Sequence, residues 1–570
     1  MKQNLVSSIF CCFIWVYSFG AMSSGFVEEN NTTETNQVKL GAPLFNNLEK
    51  YHHPISTHSP LAQRFFDQGM VLFYGFDFGE SIRSFREATR LDPSCAMCYW
   101  GLALALGSKN NMPLNGNERQ DGLTAIKKAQ QLVDPKNPKE SAYIQALSKR
   151  YSSNLASGQG SSAEVLTMGA SSATPGEAQD YADAMRDVVQ QFPKDIDAKD
   201  LYVFALFDVN KWHFWTRDGK PQPNTLEMIK TLQSALTIDR NNLAANHFFI
   251  HVMEQSPHPE TALSSANFFR DSVGLIGLHM PGNIYLPTGH YNEATLANQK
   301  AVAAYLQYQV DSLAQGFEPE INYLYLHSLD LLRYSSMMEG RSFLAIKTAE
   351  ELVKQTQIPW VKRDNYLQIF LPALYFAKAR FGKWNEILSE PKSLSEFQYA
   401  VGMWHYARGL SYVHLNKYNE SENELAQLRK ITQQGAIEKN MGVLGESLLN
   451  IAQEILAASI EDRKKNKAAV LKHLEKAIQL QNRQDYTQPP AWYFPIQEML
   501  GYELLKMGNA AEAEIAFKED LRQNPNNGWA LFGLEKSLRL QGKDNEAKKT
   551  QEQFKKAWNQ ADIILPINEL

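Results

Sequence analysis

An all-α solenoid of stacked helix–turn–helix units is the fold this sequence predicts, and three observations predict it. Leu500, Leu504, Gly508 and Ala513 recur 34 residues later as Leu534, Leu538, Gly542 and Ala547, with Pro525 and Trp529 between the copies. A period of about 34 residues is the length of one helix–turn–helix unit. Helical periodicity runs nearly end to end, with almost none of the alternation that strands require. Prolines also recur at the ends of the units, where a missing N–H is tolerated at the start of the next helix. Gly508, Ala513, Gly542 and Ala547 are expected where two helices cross closely. One such unit cannot bury its apolar face alone, so neighbours stack and leave a concave surface.

The units follow in order. Phe66, Gly69 and Phe73 face Phe78, Ile82, Phe85 and Ala88, closed by Asp92–Pro93. Cys98, Trp100 and Leu102 continue through Ala125 and Ala129 to Asp134–Pro135. Tyr181, Met185 and Val188 lead to Phe192–Pro193, then to Ala198, Tyr202 and Ala205. Leu226 to Ile238 and Ala244 to Glu254 form another pair, and Gly289, Tyr291 and Ala294 open a further helix. Later pairs centre on Gly382–Trp384, on Gly409 with Tyr418, on His473 to Leu480, and on the regular C-terminal units. Two stretches break the pattern. Residues 153–175 are rich in Ser, Gly and Ala and read as a long loop or a poorly formed helix. Residues 208–224 carry Trp212, His213, Phe214 and Trp215 ahead of Gly219–Lys220–Pro221, an aromatic-bearing loop that serves either function or packing.

The chain has 570 residues, 44% hydrophobic and 21% charged, with a net charge of −5. No basic stripe stands out, so nucleic acid is excluded as an expected partner. Lys2, the apolar run Leu5 to Phe19 and the small residues Gly20, Ala21, Ser23 and Ser24 read as an export signal covering residues 1–21. Cys11 and Cys12 lie inside that run, and Phe10 does not suit a lipoprotein cleavage box. No other apolar stretch approaches the roughly 20 residues of a membrane span. Residues 22–60 are expected to be a polar linker, 61–320 an N-terminal helical-repeat region and 321–570 a C-terminal one.

The repeat alphabet is that of the tetratricopeptide repeat. The segments Cys95-Ala-Met-Cys-Tyr-Trp-Gly, His247-Phe-Phe-Ile-His251, His279-Met-Pro, Met338-Glu-Gly-Arg341, Trp404-His-Tyr-Ala-Arg408, Pro489-Pro-Ala-Trp-Tyr-Phe-Pro495 and Asn527-Gly-Trp-Ala-Leu-Phe-Gly-Leu534 occur in order. Together they resemble a family of large exported bacterial tetratricopeptide-repeat proteins. The resemblance covers most of the chain after about residue 60 and implies a fold and a secretory address rather than a reaction. In that family the His-Met-Pro segment often continues to a second histidine, where this chain has Asn283, and a second histidine tends to accompany the place of His327, where this chain has Asp330.

Cys95 and Cys98 stand in the first turn of a helix, with Asp92 or Ser94 as the expected cap. Residues three apart on a helix are neighbours. The pair therefore suits a local disulfide, redox exchange, two ligands of a soft metal, or plain packing at a helix crossing. Tyr99 stands where a covalent haem site needs histidine. His247, His251 and Glu254 share one helix face. With His279, or with His258 as a further ligand, they form a candidate site for Zn or Cu. The alternative is that they line a groove or satisfy loop carbonyls. Phe248 replaces the glutamate of H-E-x-x-H, so the base of that protease helix is missing. Trp212, His213, Trp215, His405, Tyr406 and Arg408 are candidate groove residues, because aromatics and Arg make good anchors. Trp492–Tyr493 after Pro489–Pro490 reads as a stapled start of a helix. No Gly-rich phosphate loop and no G-x-S-x-G elbow is found. The leading reading is a non-enzymatic exported scaffold, periplasmic or otherwise in the envelope, that binds a protein or small-molecule ligand in its concave groove. The rivals are a metal-binding envelope protein and a redox carrier.

Overall fold

Three-residue turns set the architecture. The helix Pro60–Tyr74 is followed by Phe78–Leu91, Gln398–His414 by Tyr418–Gln433, Ile496–Lys506 by Ala510–Gln523, and Gly528–Leu540 by Asp544–Ala557, and each pair packs along its length. So short a connection reverses the chain. The middle residue of each turn is left-handed: φ is 63° at Phe76, 59° at Asn416, 86° at Gly508 and 72° at Gly542. The residue after it donates its N–H back into the finished helix, Asp77 to Leu72, Lys417 to Tyr412, Asn509 to Leu504 and Lys543 to Leu538, at 2.8–2.9 Å. This pattern satisfies carbonyls left over at a helix C-terminus. Gly508 and Gly542 therefore do not fill close crossings, as the sequence reading expects. A Cβ at either would meet nothing within 4 Å, and what they supply is the positive φ.

The close crossings belong to other glycines. Phe517 lies sixteen residues after Gly501 and sixteen before Gly533, and a Cβ at those glycines would fall 2.6 Å and 2.2 Å from its ring. Phe85 stands in the same relation to Gly69 and Gly101, at 2.7 Å and 2.3 Å. One packing device thus recurs at both ends of the chain: a phenylalanine on the second helix of a unit, clasped by glycines on the helices before and after. Ala513 and Ala547 are fully buried in the C-terminal core, as expected.

The structure, a computed structural model, describes residues 40–107, 116–151, 173–272, 277–319, 323–391, 396–434 and 438–565. The export signal, Cys11, Cys12 and most of the Ser/Gly-rich stretch lie outside the described residues. Among the described residues there is no strand, only an isolated bridge between Trp215 and Pro221. The fold is an all-α solenoid of tetratricopeptide type. One helix, Met441–Arg463, has the length and apolarity of a membrane span. Its Leu448, Leu449, Ile451, Ala452, Ile455 and Leu456 are buried in the core, which is why composition alone reads as it does.

Ala42–Leu570 form one compact unit that holds both the 61–320 and the 321–570 repeat regions. Late repeats return to earlier helices: Trp529 Nε1 donates to the Met337 carbonyl at 3.0 Å, and Asn526 Nδ2 to that of Gly289 at 3.2 Å. Within the expected linker, residues 42–59 are packed rather than free. Phe45 is buried against Tyr308, and its N–H donates to Gln68 Oε1 at 2.8 Å. His53 is buried too, held by Asp197.

The glycine clasp gives a direct test. Alanine at position 533 gains roughly 1 kcal/mol of helix propensity, but its Cβ would overlap the Phe517 ring, and overpacking of this kind typically costs about 1–3 kcal/mol. Gly533→Ala is expected to lower the melting temperature. An unchanged or raised value in a thermal melt would remove Phe517 from this role.

Candidate functional site

The helix Leu243–Met253 begins at Asn242, whose side chain accepts the Ala245 N–H at 2.7 Å. Every residue of the helix is buried, so its histidines have nowhere polar to go except toward one another. His247 and His251, one turn apart, face each other with their Nε2 atoms 3.1 Å apart. His247 Nδ1 lies 2.5 Å from the Tyr74 carbonyl at the end of Pro60–Tyr74. His251 Nδ1 lies 3.1 Å from Glu254 Oε1, and the other Glu254 oxygen accepts from Asn283 Nδ2 at 2.7 Å. These three sequence-selected residues therefore do meet, but as a linear hydrogen-bond chain. Among the described residues no three of His, Cys, Asp or Glu converge to hold a metal ion. Of the expected Zn or Cu set of His247, His251, Glu254 and His279, Glu254 reaches only the far nitrogen of His251, and the further candidate His258 is at the surface, beside Glu260.

His279 is 4% exposed and its Nδ1 has no hydrogen-bond partner. Its ring meets His327 edge-on at 5.4 Å. Asn283 Oδ1 is likewise buried without a partner. Each such orphan costs about 1–3 kcal/mol. Burial, then the charge of His251, holds His247 well below the ordinary imidazole range. Burial takes His251 down to about 3 and His327 to about 4. His279 is also pushed well down, by burial and then by His327, His247 and His251. Glu254 moves the other way, to about 8, because burial outweighs the Asn283 hydrogen bond. Opposed shifts of this size cluster at functional sites.

Two aromatic rings roof the pair, and both sit on left-handed backbone. Phe76, at φ 63°, lies 4.5 Å from the His247 ring and 5.4 Å from that of His251. Trp212, at φ 62°, lies 5.5 Å from His251. A bulky residue in that region is an outlier, and backbone strain of this kind clusters at functional sites. Phe76 takes the turn position that Asn416, Lys465, Gly508 and Gly542 fill in later repeats. Sequence reading missed Phe76 and Tyr74; the only available signal was a glycine, Gly75, one place too early for the turn.

Loops far apart in the chain close the site. Gln488 Nε2 donates to the Asn283 carbonyl at 3.2 Å, and Tyr486 lies near enough to Glu254 to feel its charge. Arg217 ties the 211–221 loop to Asp485 at 3.0 Å. Beside His327 and Gln488 is a cavity of about 30 Å³, lined also by Tyr323, Asp330 and Tyr366. At roughly 10–15 Å³ per water, that is room for about two waters.

The remaining candidates fall elsewhere. Cys95 and Cys98 are paired as a disulfide with both residues fully buried, and Cys95 itself occupies the cap position expected of Asp92 or Ser94. That arrangement leaves no accessible thiolate for exchange or metal binding. Trp212 is in the core, so it is not a groove residue; Trp215 donates to the Val252 carbonyl at 2.7 Å, and only His213 of that trio is exposed. Tyr406 is fully buried with its hydroxyl 3.0 Å from that of Tyr493. His405 and Arg408 both bind Glu424, at 2.5 Å and 2.8 Å, and Arg408 stacks on Trp404. Packing claims these anchors because each aromatic finds an apolar neighbour before it finds solvent. Trp492 and Tyr493 are buried ahead of Ile496–Lys506, whose cap position is Pro495.

No family model matches the chain, and no curated protein does. Among solved structures, the human IFIT1 dimer with PPP-AAAA is 12% identical, with 88% of this chain and 91% of that one covered and a TM-score of 0.33. Yeast Tom70 is 14% identical, with 87% and 92% covered and a TM-score of 0.26. Similarity this low carries no argument about the site.

Tyr74, which anchors the chain, is itself held by Asp197. The carboxylate accepts from Tyr74 at 2.8 Å and Tyr51 at 3.0 Å, and lies 2.6 Å from His53. Burial alone would raise Asp197, but His53 and the two phenols hold it below the usual carboxylate range. A depressed carboxylate contributes stability above its unfolded pKa and loses it as pH falls through the folded one. Asp197→Asn is therefore expected to destabilise the protein by about 1–3 kcal/mol at pH 7, with the difference shrinking in acid, below the ordinary Asp range. Urea melts at both pH values check this; a gap that widens in acid would contradict it.

Proposed function

We propose that the chain is an exported bacterial helical-repeat protein that binds a protein partner or ligand on the concave surface of its stack and carries out no reaction there. The docking point is the rim where the 211–221 and 485–491 loops meet over the histidine chain. The observation that carries this reading is the Arg217–Asp485 contact, which joins loops 268 residues apart above a strained, buried polar centre. Lys211, His213 and Lys220 are exposed on one loop, and Tyr486 is 39% exposed on the other. The cavity beneath is too small for a substrate of ordinary size, so a ligand engages the rim. Conserving a few polar and aromatic anchors on a rigid frame is how repeat scaffolds recognise partners.

Lys2, the Leu5 to Phe19 run and the small residues after it support export. A local disulfide in a chain with few cysteines fits an oxidising compartment. N-terminal sequencing of the envelope fraction is expected to find a start near residue 22; intact Met1 in the membrane pellet would refute removal of the signal.

The rim has its own test. Arg217 and Asp485 are mostly exposed, so exchanging their charges leaves stability nearly untouched. Arg217→Asp and Asp485→Arg are each expected to weaken retention of the native envelope partner in affinity purification, and the double variant to restore it. Equal retention by all four proteins would place the partner elsewhere.

A further inference from the structure

We propose that the protein forms a two-fold homodimer through the outer face of the helix Tyr291–Ala314, packed antiparallel against the same helix of a second copy. This 24-residue helix buries Ala294, Ala301, Tyr305 and Tyr308 on one side, against Phe45 and the helix Tyr323–Met338. The opposite side of such a helix is ordinarily polar. Here Leu296 is 56% exposed, Leu306 40%, Val310 58% and Leu313 54%. Among the described residues no other helix exposes more than two large apolar side chains. Scattered singly, such residues need no partner; aligned on one face they mark an interaction surface.

Spacing identifies the occupant. Leu296, Gln299, Ala303, Leu306, Val310 and Leu313 follow one another at alternating steps of three and four residues, and none of them is buried. That is the seam of a coiled coil, narrower than the stripe a helix turns to its own core, and it calls for a second helix. The seam also reads the same in both directions. Turned end for end over a copy of itself, Leu296 meets Leu313, Gln299 meets Val310 and Ala303 meets Leu306. Small then faces large at the centre, so the layers interdigitate. A parallel copy would set Ala303 on Ala303 and Gln299 on Gln299, leaving a gap beside a polar pair. A closed two-fold contact requires such self-complementarity, whereas an unrelated partner does not.

Charge and size agree. The helix carries three charged residues, Glu293, Lys300 and Asp311. Asp311 is turned from the seam, toward Asn47 at 3.4 Å. Glu293 and Lys300 flank the seam, and in the antiparallel register they lie beside Ala314 and Gln307 of the second copy, so like charges do not meet. Lys300 is also drawn aside to the Arg270 carbonyl at 3.0 Å. From Leu296 to Leu313 the seam runs about 26 Å, at 1.5 Å per residue. A single helix pair of that length lies at the small end of specific interfaces, so the dimer forms in the micromolar range and exchanges readily. The inference is independent of what docks at the rim, since neither rim loop contributes to this helix.

Sedimentation tests it on protein purified from residue 22 onward, which leaves out Cys11 and Cys12. From submicromolar to near-millimolar concentration a reversible monomer–dimer equilibrium is expected. Leu306→Glu and Val310→Glu, both at exposed positions, are each expected to weaken it at least about tenfold without lowering the melting temperature of the monomer. Ile515→Glu, at an apolar residue 69% exposed on another helix, is expected to leave it intact. The register has its own reading. Leu296→Cys and Leu313→Cys proteins are expected to stay unlinked under mild oxidation when alone and to form disulfide-linked dimers when mixed, because the two positions meet only in the antiparallel pair. Cys95 and Cys98 are already bonded to each other and do not compete. A wild type that stays monomeric throughout, or a dimer indifferent to both glutamates, overturns the proposal. So does a monomer that dimerises only when residues 22–39 are deleted, which would assign the seam to the chain's own N-terminal segment. Linkage within either single-cysteine protein would place the helices parallel and overturn the antiparallel contact.

Discussion

The hydrogen bond from His247 to the Tyr74 carbonyl is a small contact with wide consequences, because its acceptor cannot change roles. It fixes the proton of His247 on Nδ1 and turns its Nε2 toward His251. It also joins the helix Leu243–Met253 to the end of Pro60–Tyr74, 173 residues earlier in the chain. Tyr74 is pinned in turn by its hydroxyl on Asp197, which binds His53 and Tyr51 from the N-terminal segment. The packing of residues 42–59 follows from that requirement: without His53 and Tyr51, Asp197 would be a buried carboxylate with too few donors.

Placing the chain in a dry interior has a second consequence. A charged imidazole or carboxylate there would need a counter-ion or water, and Phe76, Trp212 and Phe248 provide neither. The aromatic roof and the neutral protonation pattern are thus one feature seen twice. Phe76 and Trp212 both take backbone conformations that glycine would accept without strain. The same turn position is held by Asn416, Lys465, Gly508 and Gly542 elsewhere, and only at Phe76 does it carry an aromatic ring. The ring over the histidines is what the strained backbone provides.

The fold was legible because its signals are local. The Pro boundaries and the helical period lie within one hairpin, and the 34-residue recurrence spans only two adjacent ones. The shared face of His247, His251 and Glu254 was legible for the same reason, being a property of one helix. What those groups bind was not, since their partners Tyr74, Phe76, Trp212 and Gln488 arrive from distant repeats. Gly508 and Gly542 were seen but given the wrong task, because a turn glycine and a crossing glycine look alike without a backbone angle. Tyr406 and Arg408 were misplaced because an aromatic on a repeat helix reads the same whether it meets a groove or Tyr493 and Trp404.

A helical repeat stacks by nearest-neighbour contacts, so its default is a modular rod with no centre. Here the polar chain takes donors and acceptors from several segments: Tyr74, the histidine helix, Asn283 and the 485–491 loop. Burying it demands that all of them be in place together, since an incomplete chain leaves unpaired polar atoms in an apolar core. That demand converts additive stacking into a cooperative centre. The late repeats return separately to Met337 and Gly289 through Trp529 and Asn526. The two orphaned atoms beside it, His279 Nδ1 and Asn283 Oδ1, then acquire a physical reading: they are the cost of keeping a neutral, directional chain where a purely structural core would have placed leucine and phenylalanine.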